Sequence, residues 1–273
     1  MKFQEKLNKI IKKNNSLLCI GLDPDLEKIP LYFKKYKDPI FIFNKQLIDK
    51  THDLVCAYKP QIAHYSAAGI EGLRSLIKTI NYLIRKYPEI PIILDAKRAD
   101  IGSTSKLYAK EAFDFLKADA VTVNPYLGLD SLQPFLERTD KGVIILCRTS
   151  NKSASDFQDL EISPNNPLYL YVAKRVQEWN KIYGNCFLVI GATWPEQLKK
   201  VREIAPDMFF LVPGIGTQGG NLEKTLMNGL RKDRSGLIIH TSRAIIYASN
   251  DANFANAARR ETVRLKNEIN RYR

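Results

Sequence analysis

The chain has 273 residues, of which 45% are hydrophobic and 26% charged, so it is long enough for one large α/β barrel or two small domains with a sizeable core. Its formal net charge of +13, from 42 Lys and Arg against 29 Asp and Glu, favours anionic partners such as phosphorylated metabolites, nucleic acids or membrane surfaces. The lysines are spread over predicted helices rather than forming one run, which indicates solvated helix faces and argues against a nucleic-acid footprint.

The cysteines and the lengths of the apolar segments indicate the cellular compartment of the protein. The four cysteines are Cys19, Cys56, Cys147 and Cys186. Each lies in or beside an apolar segment and no C-x-x-C pair occurs, so we predict buried reduced thiols rather than disulfides or a zinc site. The apolar run LLCIGL stops at Asp23 and is too short for a signal peptide, and no segment approaches membrane-spanning length. We therefore expect a cytoplasmic protein with no membrane partner.

Hydrophobic periodicity predicts the fold class. An amphipathic helix is predicted over residues 2–13, and eight short apolar runs separated by helical patterns follow it. The runs are LLCIGLD (17–23), LVCAYKP (54–60), PIILDAK (91–97), AVTVNP (120–125), GVIILCRTS (142–150), CFLVIGAT (186–193), MFFLVPGIG (208–216) and GLIIHTS (236–242). Eight strand–helix units in about 250 residues are typical of a (β/α)8 TIM barrel, an α/β fold. A doubly wound open sheet is the alternative, but it would leave one or two of the predicted strands unexplained.

The segments between the runs predict the domain organisation. No linker or change of composition separates two parts, so we expect a single domain over residues 1–273. Behind the third run, Ser103 or Thr104 is the predicted N-cap of a helix. The one irregular segment, residues 151–166, is polar and is predicted to be a flexible loop over the exit of the fifth strand.

Polar side chains follow most of the predicted strands. In a barrel of this type the site lies at the C-terminal ends of the strands, so side chains at these exits converge. In strand order, the exits carry Asp23, Lys59, Asp95, Lys97, Asp100, Thr149, Ser150, Thr193, Thr241, Ser242 and Arg243. Their common placement at one rim is stronger evidence for a site than any single motif.

The third exit, within PIILDAKRADIGST (91–104), carries the densest charge. Asp95 and Lys97 are two residues apart, so on an extended backbone their side chains point to the same side. Asp100 follows past the strand end, so two carboxylates and an ammonium would share one small volume. Taken alone, a D-x-K-x-x-D pattern is typical of a surface ion-pair cluster, but its placement at a barrel rim favours a catalytic site.

The last two exits predict a phosphate site. The seventh run ends in PGIGTQGG (213–220), whose glycines let backbone amides approach a ligand. The eighth ends in Ser242 and Arg243, which offer main-chain N–H groups and a guanidinium. Barrels often bind phosphate at these two loops. A plain turn and an arginine ion pair are the structural alternatives.

Two cofactor-site motifs are missing from the sequence. There is no G-x-x-x-x-G-K-[ST] and no H-E-x-x-H, so we expect no cofactor. Asp23, Asp95 and Asp100 could supply oxygen ligands, so a bound metal ion remains an alternative at this stage. Of the three histidines, His240 is expected in the core and His64 could reach the site from the second exit.

At these residues the chain resembles the orotidine 5′-phosphate decarboxylase family, most of all its longer bacterial branch. The motifs are GLDPD (21–25), KPQIAHY (59–65), DAKRADIGST (95–104), TSN (149–151), GATWPEQL (191–198), VPGIGTQGG (212–220) and SRAIIYAS (242–249). Their order and strand placement agree over nearly the whole chain. The resemblance implies decarboxylation of orotidine 5′-phosphate to UMP and CO2, the last step of de novo pyrimidine biosynthesis, without a cofactor.

The resemblance also implies roles for the matching catalytic residues. Lys97 would donate a proton to C6 of the pyrimidine, Asp95 would face the departing carboxylate, and Lys59 would hold Asp95 and the ribose. Asp100 and Thr104 would reach into the site of a neighbouring subunit. The family pattern therefore implies an obligate homodimer with shared sites.

The remaining matches would bind substrate. Asp23 would bind a ribose hydroxyl, and Ser150 or Thr149 would bond the amide edge of the pyrimidine. Two residues of the seventh loop, Pro213 and Gln218, would pack on the base and bridge base to phosphate.

The phosphate itself would be held by Arg243 and the main-chain amide at Ser242. The sequence departs from the family here: Ser242 stands where many members have Gly, and Trp194 where some have Arg. Both differences concern phosphate contacts rather than the chemistry.

Two rival interpretations make different predictions. A sugar-phosphate lyase of the same barrel superfamily shares D-x-K-x-x-D but needs Mg²⁺, so activity that survives a chelator would exclude it. The segments TSN and PGIGTQGG, which the resemblance assigns to binding of the pyrimidine base, argue against that rival. A basic nucleic-acid-binding protein is suggested by charge alone and would show salt-sensitive RNA binding in a gel-shift assay.

Overall fold

The computed structural model describes residues 1–216 and 219–273, so Gln218, the predicted bridge between base and phosphate, lies outside the described residues. The strands are β1 (Leu18–Leu22), β2 (Ala57–Pro60), β3 (Ile93–Arg98), β4 (Ala120–Val123), β5 (Gly142–Arg148), β6 (Glu161–Ser163), β7 (Asn166–Pro167), β8 (Cys186–Ile190), β9 (Phe210–Val212) and β10 (Leu237–Thr241). All eight predicted apolar runs contain one of these strands, and β6 and β7 form a separate hairpin.

Helices alternate with the strands along the chain. They are α1 (Phe3–Asn14), α2 (Pro39–Thr51), α3 (Ile62–Ser66), α4 (Gly69–Lys86), α5 (Gly102–Lys110), α6 (Leu129–Leu136), α7 (Ser155–Gln158), α8 (Leu168–Tyr183), α9 (Pro195–Ile204), α10 (Leu222–Gly229), α11 (Arg243–Ile246) and α12 (Phe254–Asn270). Shorter 3₁₀ turns lie at Leu31–Lys35, His52–Leu54, Pro125–Leu127 and Lys152–Ala154. In the part of the chain that the structure describes, no helix combines the length and apolarity that a bilayer crossing requires.

The eight long strands form one parallel sheet in the order β2-β1-β10-β9-β8-β5-β4-β3. The two edge strands meet through isolated parallel bridges, Tyr58 with Ile92 and Gln61 with Asp95, so the sheet curls into a barrel. Strands in such a barrel are covered on both faces, which is why β1, β2, β4 and β8 are buried at every position. The predicted (β/α)8 TIM barrel is confirmed.

Helix α1 covers the end of the barrel opposite to the polar exits. The Phe3 ring packs edge-on against Phe187, with ring centroids 5.1 Å apart. Gly142 makes this approach possible, because a Cβ atom there would lie 2.3 Å from the Phe3 ring. The predicted apolar face of this helix is buried as expected, including Leu7 and Ile10.

Two local predictions around the third and fifth strands were wrong. Neither Ser103 nor Thr104 caps α5: the helix begins at Gly102 behind an extended Ile101, without a side-chain cap. The polar segment 151–166 is not an irregular loop, because it folds into a 3₁₀ turn, the short helix α7 and the β6–β7 hairpin. No strand pattern in the sequence indicates this hairpin, since both strands are short and β6 is exposed.

Arg202, on α9, ties four elements together near the covered end of the barrel. Its side chain is buried, and its guanidinium donates to the carbonyl oxygens of Gly229 (2.8 Å), Ala205 (2.9 Å), Met208 (2.6 Å) and Gly236 (3.0 Å). These carbonyls end α10 and α9 and precede β9 and β10. One side chain therefore satisfies backbone acceptors that water does not reach.

We expect Arg202→Met to lower the free energy of unfolding by about 2–4 kcal/mol, because it leaves several buried carbonyl groups without donors. Urea denaturation followed by circular dichroism measures the change. The matched control is Arg264→Met, since Arg264 is an exposed arginine ion-paired to Glu261 and Glu268 on α12. That variant should change stability by less than about 1 kcal/mol. Equal losses in the two variants would contradict the structural role of Arg202.

Candidate active site

A cavity of about 630 Å³ opens at the C-terminal ends of the barrel strands. It is lined by nine of the twelve residues that the sequence predicts for the site. These nine are Asp23, Lys59, Asp95, Lys97, Thr149, Ser150, Pro213, Ser242 and Arg243. Of the other three, Asp100 and Thr104 are not among the lining residues, and Gln218 lies outside the described residues. The barrel thus brings together side chains from six strand exits.

The floor of the cavity holds one carboxylate between two ammonium groups. Asp95, from β3, accepts a hydrogen bond from Nζ of Lys59 at the end of β2. Its other oxygen lies 2.6 Å from Nζ of Lys97. The Lys59 side chain is only 3% exposed, whereas that of Lys97 is 45% exposed toward the cavity. Lys97 therefore presents the accessible positive charge, and Lys59 lies behind it.

Burial and neighbouring charges shift the pKa values of Asp95 and Lys59 in opposite directions. Burial alone would raise the pKa of Asp95, but the ammonium groups of Lys59 and Lys97 outweigh it and hold this pKa far below its usual range. Burial likewise opposes the charged form of Lys59, but Asp95 and then Asp23 raise its pKa above the ordinary value. Asp95 and Lys59 are therefore both charged at neutral pH.

Lys97 reaches the cavity by a route that the sequence argument did not foresee. Its backbone is left-handed, with φ of 48°, and the pairing of β3 with β4 shifts register between Leu94 and Arg98. The hydroxyl oxygen of Thr122 accepts from the main-chain N–H groups of Ala96 (3.0 Å) and Lys97 (2.9 Å). A bulge, and not a regular extended strand, aims Lys97 into the cavity.

Thr122, on β4, is a site residue that the sequence analysis missed. Besides holding the bulge, its hydroxyl donates to Asp95 at 2.9 Å, on the oxygen that also faces Lys97. The sequence did contain a signal for this role: Thr122 is the only polar residue in the strand AVTV, which is buried at all four positions. A buried threonine at that position orients the carboxylate as well as the strand.

Asp100 and Thr104 do not line the cavity. The Asp100 carboxylate accepts from the main-chain N–H of Ile101 at 2.8 Å. Thr104 is exposed on the first turn of α5. Apolar side chains surround this position, with Ile101 59% and Leu107 65% exposed. The structure therefore does not bring Asp100 to Lys97 within one chain.

Asp23, at the end of β1, lies on the neighbouring side of the cavity. Its carboxylate accepts from the main-chain N–H of Gln61 at 3.2 Å, which fixes it beside the end of β2. Tyr247 holds the same loop, because its hydroxyl donates to the Asp23 carbonyl (3.3 Å) and accepts from the Asp25 N–H (2.8 Å). Gln61 and Tyr247 are further residues that the sequence analysis did not assign.

The structure distinguishes the two candidates at the fifth exit. The Thr149 hydroxyl lies 2.7 Å from Oδ1 of Asn151 and accepts from Nε2 of Gln158 at 2.9 Å, so its hydrogen-bonding capacity is used within the protein. The Ser150 hydroxyl and N–H have no hydrogen-bond partner within residues 1–216 and 219–273. Of the two, Ser150 is the residue with groups available to a ligand.

Arg243 and Pro213 lie at the open end of the cavity. Arg243, the first residue of α11, is exposed, and its guanidinium has no ion-pair partner in the described part of the chain. The hydroxyl of Ser242 donates to the Gly21 carbonyl at 3.3 Å, which ties α11 to β1. Gly214 next to Pro213 has φ of 105°, a conformation that favours glycine.

Two histidines also line the cavity. His240, on β10, is buried as predicted, and burial followed by the nearby Lys59 ammonium lowers its pKa well below the usual value. It is therefore a neutral imidazole at physiological pH. His64, on α3, lies at the mouth of the same cavity.

The metal alternative rests on Asp23, Asp95 and Asp100. Among the described residues, no group of three or more His, Cys, Asp or Glu side chains is arranged to hold a metal ion. Asp95 has both oxygens occupied by lysines and Thr122, and Asp100 does not line the cavity. The site is built to present charge from amino-acid side chains.

Comparisons with known proteins agree with this geometry. A family model described as "Orotidine 5'-phosphate decarboxylase / HUMPS family" matches residues 16–258. The chain is 55% identical over 273 residues to the orotidine 5'-phosphate decarboxylase of Cellvibrio japonicus (strain Ueda107), covering 99% of this chain and 98% of that protein. It is 50% identical over 274 residues to the corresponding protein of Ralstonia pickettii (strain 12J), with 100% of both covered.

A solved structure extends the comparison to three dimensions. The OMP decarboxylase of Leishmania donovani superposes with a TM-score of 0.85 at 41% sequence identity, covering 100% of this chain and 99% of that chain. Sequence family, full-length relatives and fold therefore agree. The chain belongs to the orotidine 5′-phosphate decarboxylase family and is a decarboxylase of pyrimidine biosynthesis.

Proposed function

We propose that this decarboxylase forms UMP by stabilising a carbanion at C6 of the orotate ring, which Lys97 then protonates. The observation that carries the proposal is the charged Lys59–Asp95–Lys97 array on the floor of the cavity. Loss of CO2 leaves the electron pair of the broken C–C bond on C6, where the ring offers no electron sink. A fixed ammonium in a partly desolvated cavity stabilises such a charge far better than water does.

The proposed reaction needs only this array. As the bond to CO2 breaks, Nζ of Lys97 donates a proton to C6, and the resulting amine regains a proton from solvent. Asp95 supports the step because its carboxylate holds the ammonium of Lys97 in place at 2.6 Å. Asp95 also repels the substrate carboxylate, and this repulsion disappears once CO2 has left.

The proposed binding mode assigns the two ends of the substrate to opposite walls. Arg243 and the N–H of Ser242 bind the phosphate, and Asp23 binds a ribose hydroxyl. Ser150 bonds the amide edge of the pyrimidine, and Pro213 packs on its face. The support is that all five residues line the one cavity that contains Lys97. Gln218 is proposed to bridge base and phosphate from the loop after β9.

We also propose a homodimer in which Asp100 and Thr104 complete the site of the partner subunit. Neither residue lines the cavity of its own chain, yet both follow the strand that carries Lys97. Apolar side chains are exposed next to them in the chain, at Ile101 (59%) and Leu107 (65%). Burial of these side chains between two copies would provide the free energy of association.

The first prediction concerns Lys97. Lys97→Ala should lower kcat by about a thousandfold or more, because it removes both the positive charge and the proton donor. UMP should still bind, since phosphate, ribose and base contacts remain. Turnover is followed by ultraviolet absorbance of orotidine 5′-phosphate with EDTA present, and UMP binding by calorimetry. Turnover close to that of the unmodified protein would end the assignment of Lys97.

The second prediction concerns Arg243. Arg243→Ala should weaken UMP binding by about 2 kcal/mol, because a charge-assisted contact to phosphate is lost. Binding of uridine, which lacks the phosphate, should change by less than about twofold. Calorimetry with both ligands separates the two cases. An equal loss for UMP and uridine would contradict a phosphate contact.

The third prediction tests the shared site by complementation. Lys97→Ala and Asp100→Ala should each be inactive alone. When the two variants are mixed and allowed to exchange subunits, each mixed dimer should contain one site with both residues native, so activity should reappear. Mixing either variant with itself is the control. If activity stays absent although native mass spectrometry shows mixed dimers, Asp100 does not act in the partner's site.

A further inference from the structure

The segment that follows β5 is anchored by a buried arginine. Arg148 ends the strand, and its side chain is fully buried. The guanidinium donates to Asp159 at 2.8 Å and to the Thr149 carbonyl at 3.2 Å, and it lies 4.1 Å from the ring centroid of Trp194. A buried guanidinium needs such partners. The contact with Asp159 therefore attaches the far end of the segment to the barrel wall.

Gln158 connects the same segment to Thr149. Its Oε1 accepts from the Thr149 main-chain N–H at 2.8 Å, and its Nε2 donates to the Thr149 hydroxyl at 2.9 Å. The Thr149 carbonyl also accepts from the indole N–H of Trp194 at 2.9 Å. Each polar group of Thr149 is thus held by side chains from the insert or from the loop after β8, and its position is determined from both flanks.

Ser150, the next residue, lies directly over Gly191 at the end of β8. A Cβ atom at Gly191 would lie 2.5 Å from Cα of Ser150, so only glycine allows this approach. The Thr193 hydroxyl donates to the Ser150 carbonyl at 3.1 Å. Ser150 is therefore held through its carbonyl and its neighbour Thr149, whereas it lines the cavity and its hydroxyl has no hydrogen-bond partner in the described residues.

We propose that Gln158 is a positioning residue for base recognition: by binding Thr149 on two sides, it holds Ser150 over Gly191 so that the Ser150 hydroxyl bonds the amide edge of the pyrimidine. The polar insert then serves as the wall that determines specificity for the base, and not as a passive loop. This inference rests on the proposed function, because it takes Ser150 as the residue that contacts the base.

The distinctive consequence is a selective loss of affinity. UMP and ribose 5-phosphate share ribose and phosphate, but only UMP carries the base. A change at Gln158 that moves Ser150 should weaken UMP binding and leave ribose 5-phosphate binding unchanged. A general loss of stability or a collapse of the cavity would weaken both ligands.

The test measures both ligands by calorimetry on the full chain. Gln158→Met keeps the length of the side chain and removes both hydrogen bonds to Thr149. We expect about tenfold weaker UMP binding and a change of less than about twofold for ribose 5-phosphate. The matched control is Asp156→Met, on the same short helix, where an exposed side chain makes no hydrogen bond to another described residue. It should bind both ligands as the unmodified protein does.

A second variant displaces Ser150 from the opposite side. Gly191→Ala places a methyl group where Ser150 lies, so it should give the same selective loss of UMP affinity. Unchanged UMP binding in Gln158→Met, or an equal loss of both ligands in both variants, would overturn the inference.

Ser150→Ala separates this inference from the proposed function. If Ser150→Ala weakens UMP binding and Gln158→Met does not, the base contact stands and the positioning role falls. If Ser150→Ala binds UMP normally, the assigned base contact is wrong and the inference falls with it.

Discussion

The structure depends on one buried carboxylate shared by two lysines. Asp95 would be unfavourable as an isolated buried anion, and Lys59 would be unfavourable as an isolated buried cation. Each is tolerated because the other is present, and Lys97 adds the third charge from the cavity side. Lys59 lies on β2 and Asp95 on β3, the two edge strands, which are joined to each other by the isolated bridges of Tyr58 with Ile92 and Gln61 with Asp95. Closure of the barrel and assembly of the charge array are therefore the same event.

The accessible ammonium is held in place by backbone geometry as well as by charge. A left-handed lysine such as Lys97 costs about 1 kcal/mol relative to a regular strand. Thr122 offsets this cost, since one hydroxyl group accepts from two main-chain N–H groups of the bulge and donates to Asp95. Rigid placement matters for the proposed chemistry because a mobile ammonium would have to reorganise as charge develops on C6.

The sequence predicted the barrel and most of the cavity, because strand exits in this fold converge whatever the loops do. It failed where local geometry departs from regular periodicity. Lys97 faces Asp95 through a bulge and not by strand alternation. The role of Thr149 also depends on its contacts with Gln158, nine residues away, which no strand or helix pattern encodes.

Global and local electrostatics act in opposite ways on an anionic substrate. The net charge of +13 attracts phosphorylated nucleotides over a long range, which raises the rate of encounter. Inside the cavity, the ionised Asp95 lies where the proposed mechanism brings the substrate carboxylate, and like charges there disfavour the bound ground state. The contacts proposed for Arg243 and Ser150, which are remote from C6, would have to offset that repulsion for the substrate to bind. The residues that hold phosphate and base are thus part of the proposed catalytic mechanism, although none of them touches the bond that breaks.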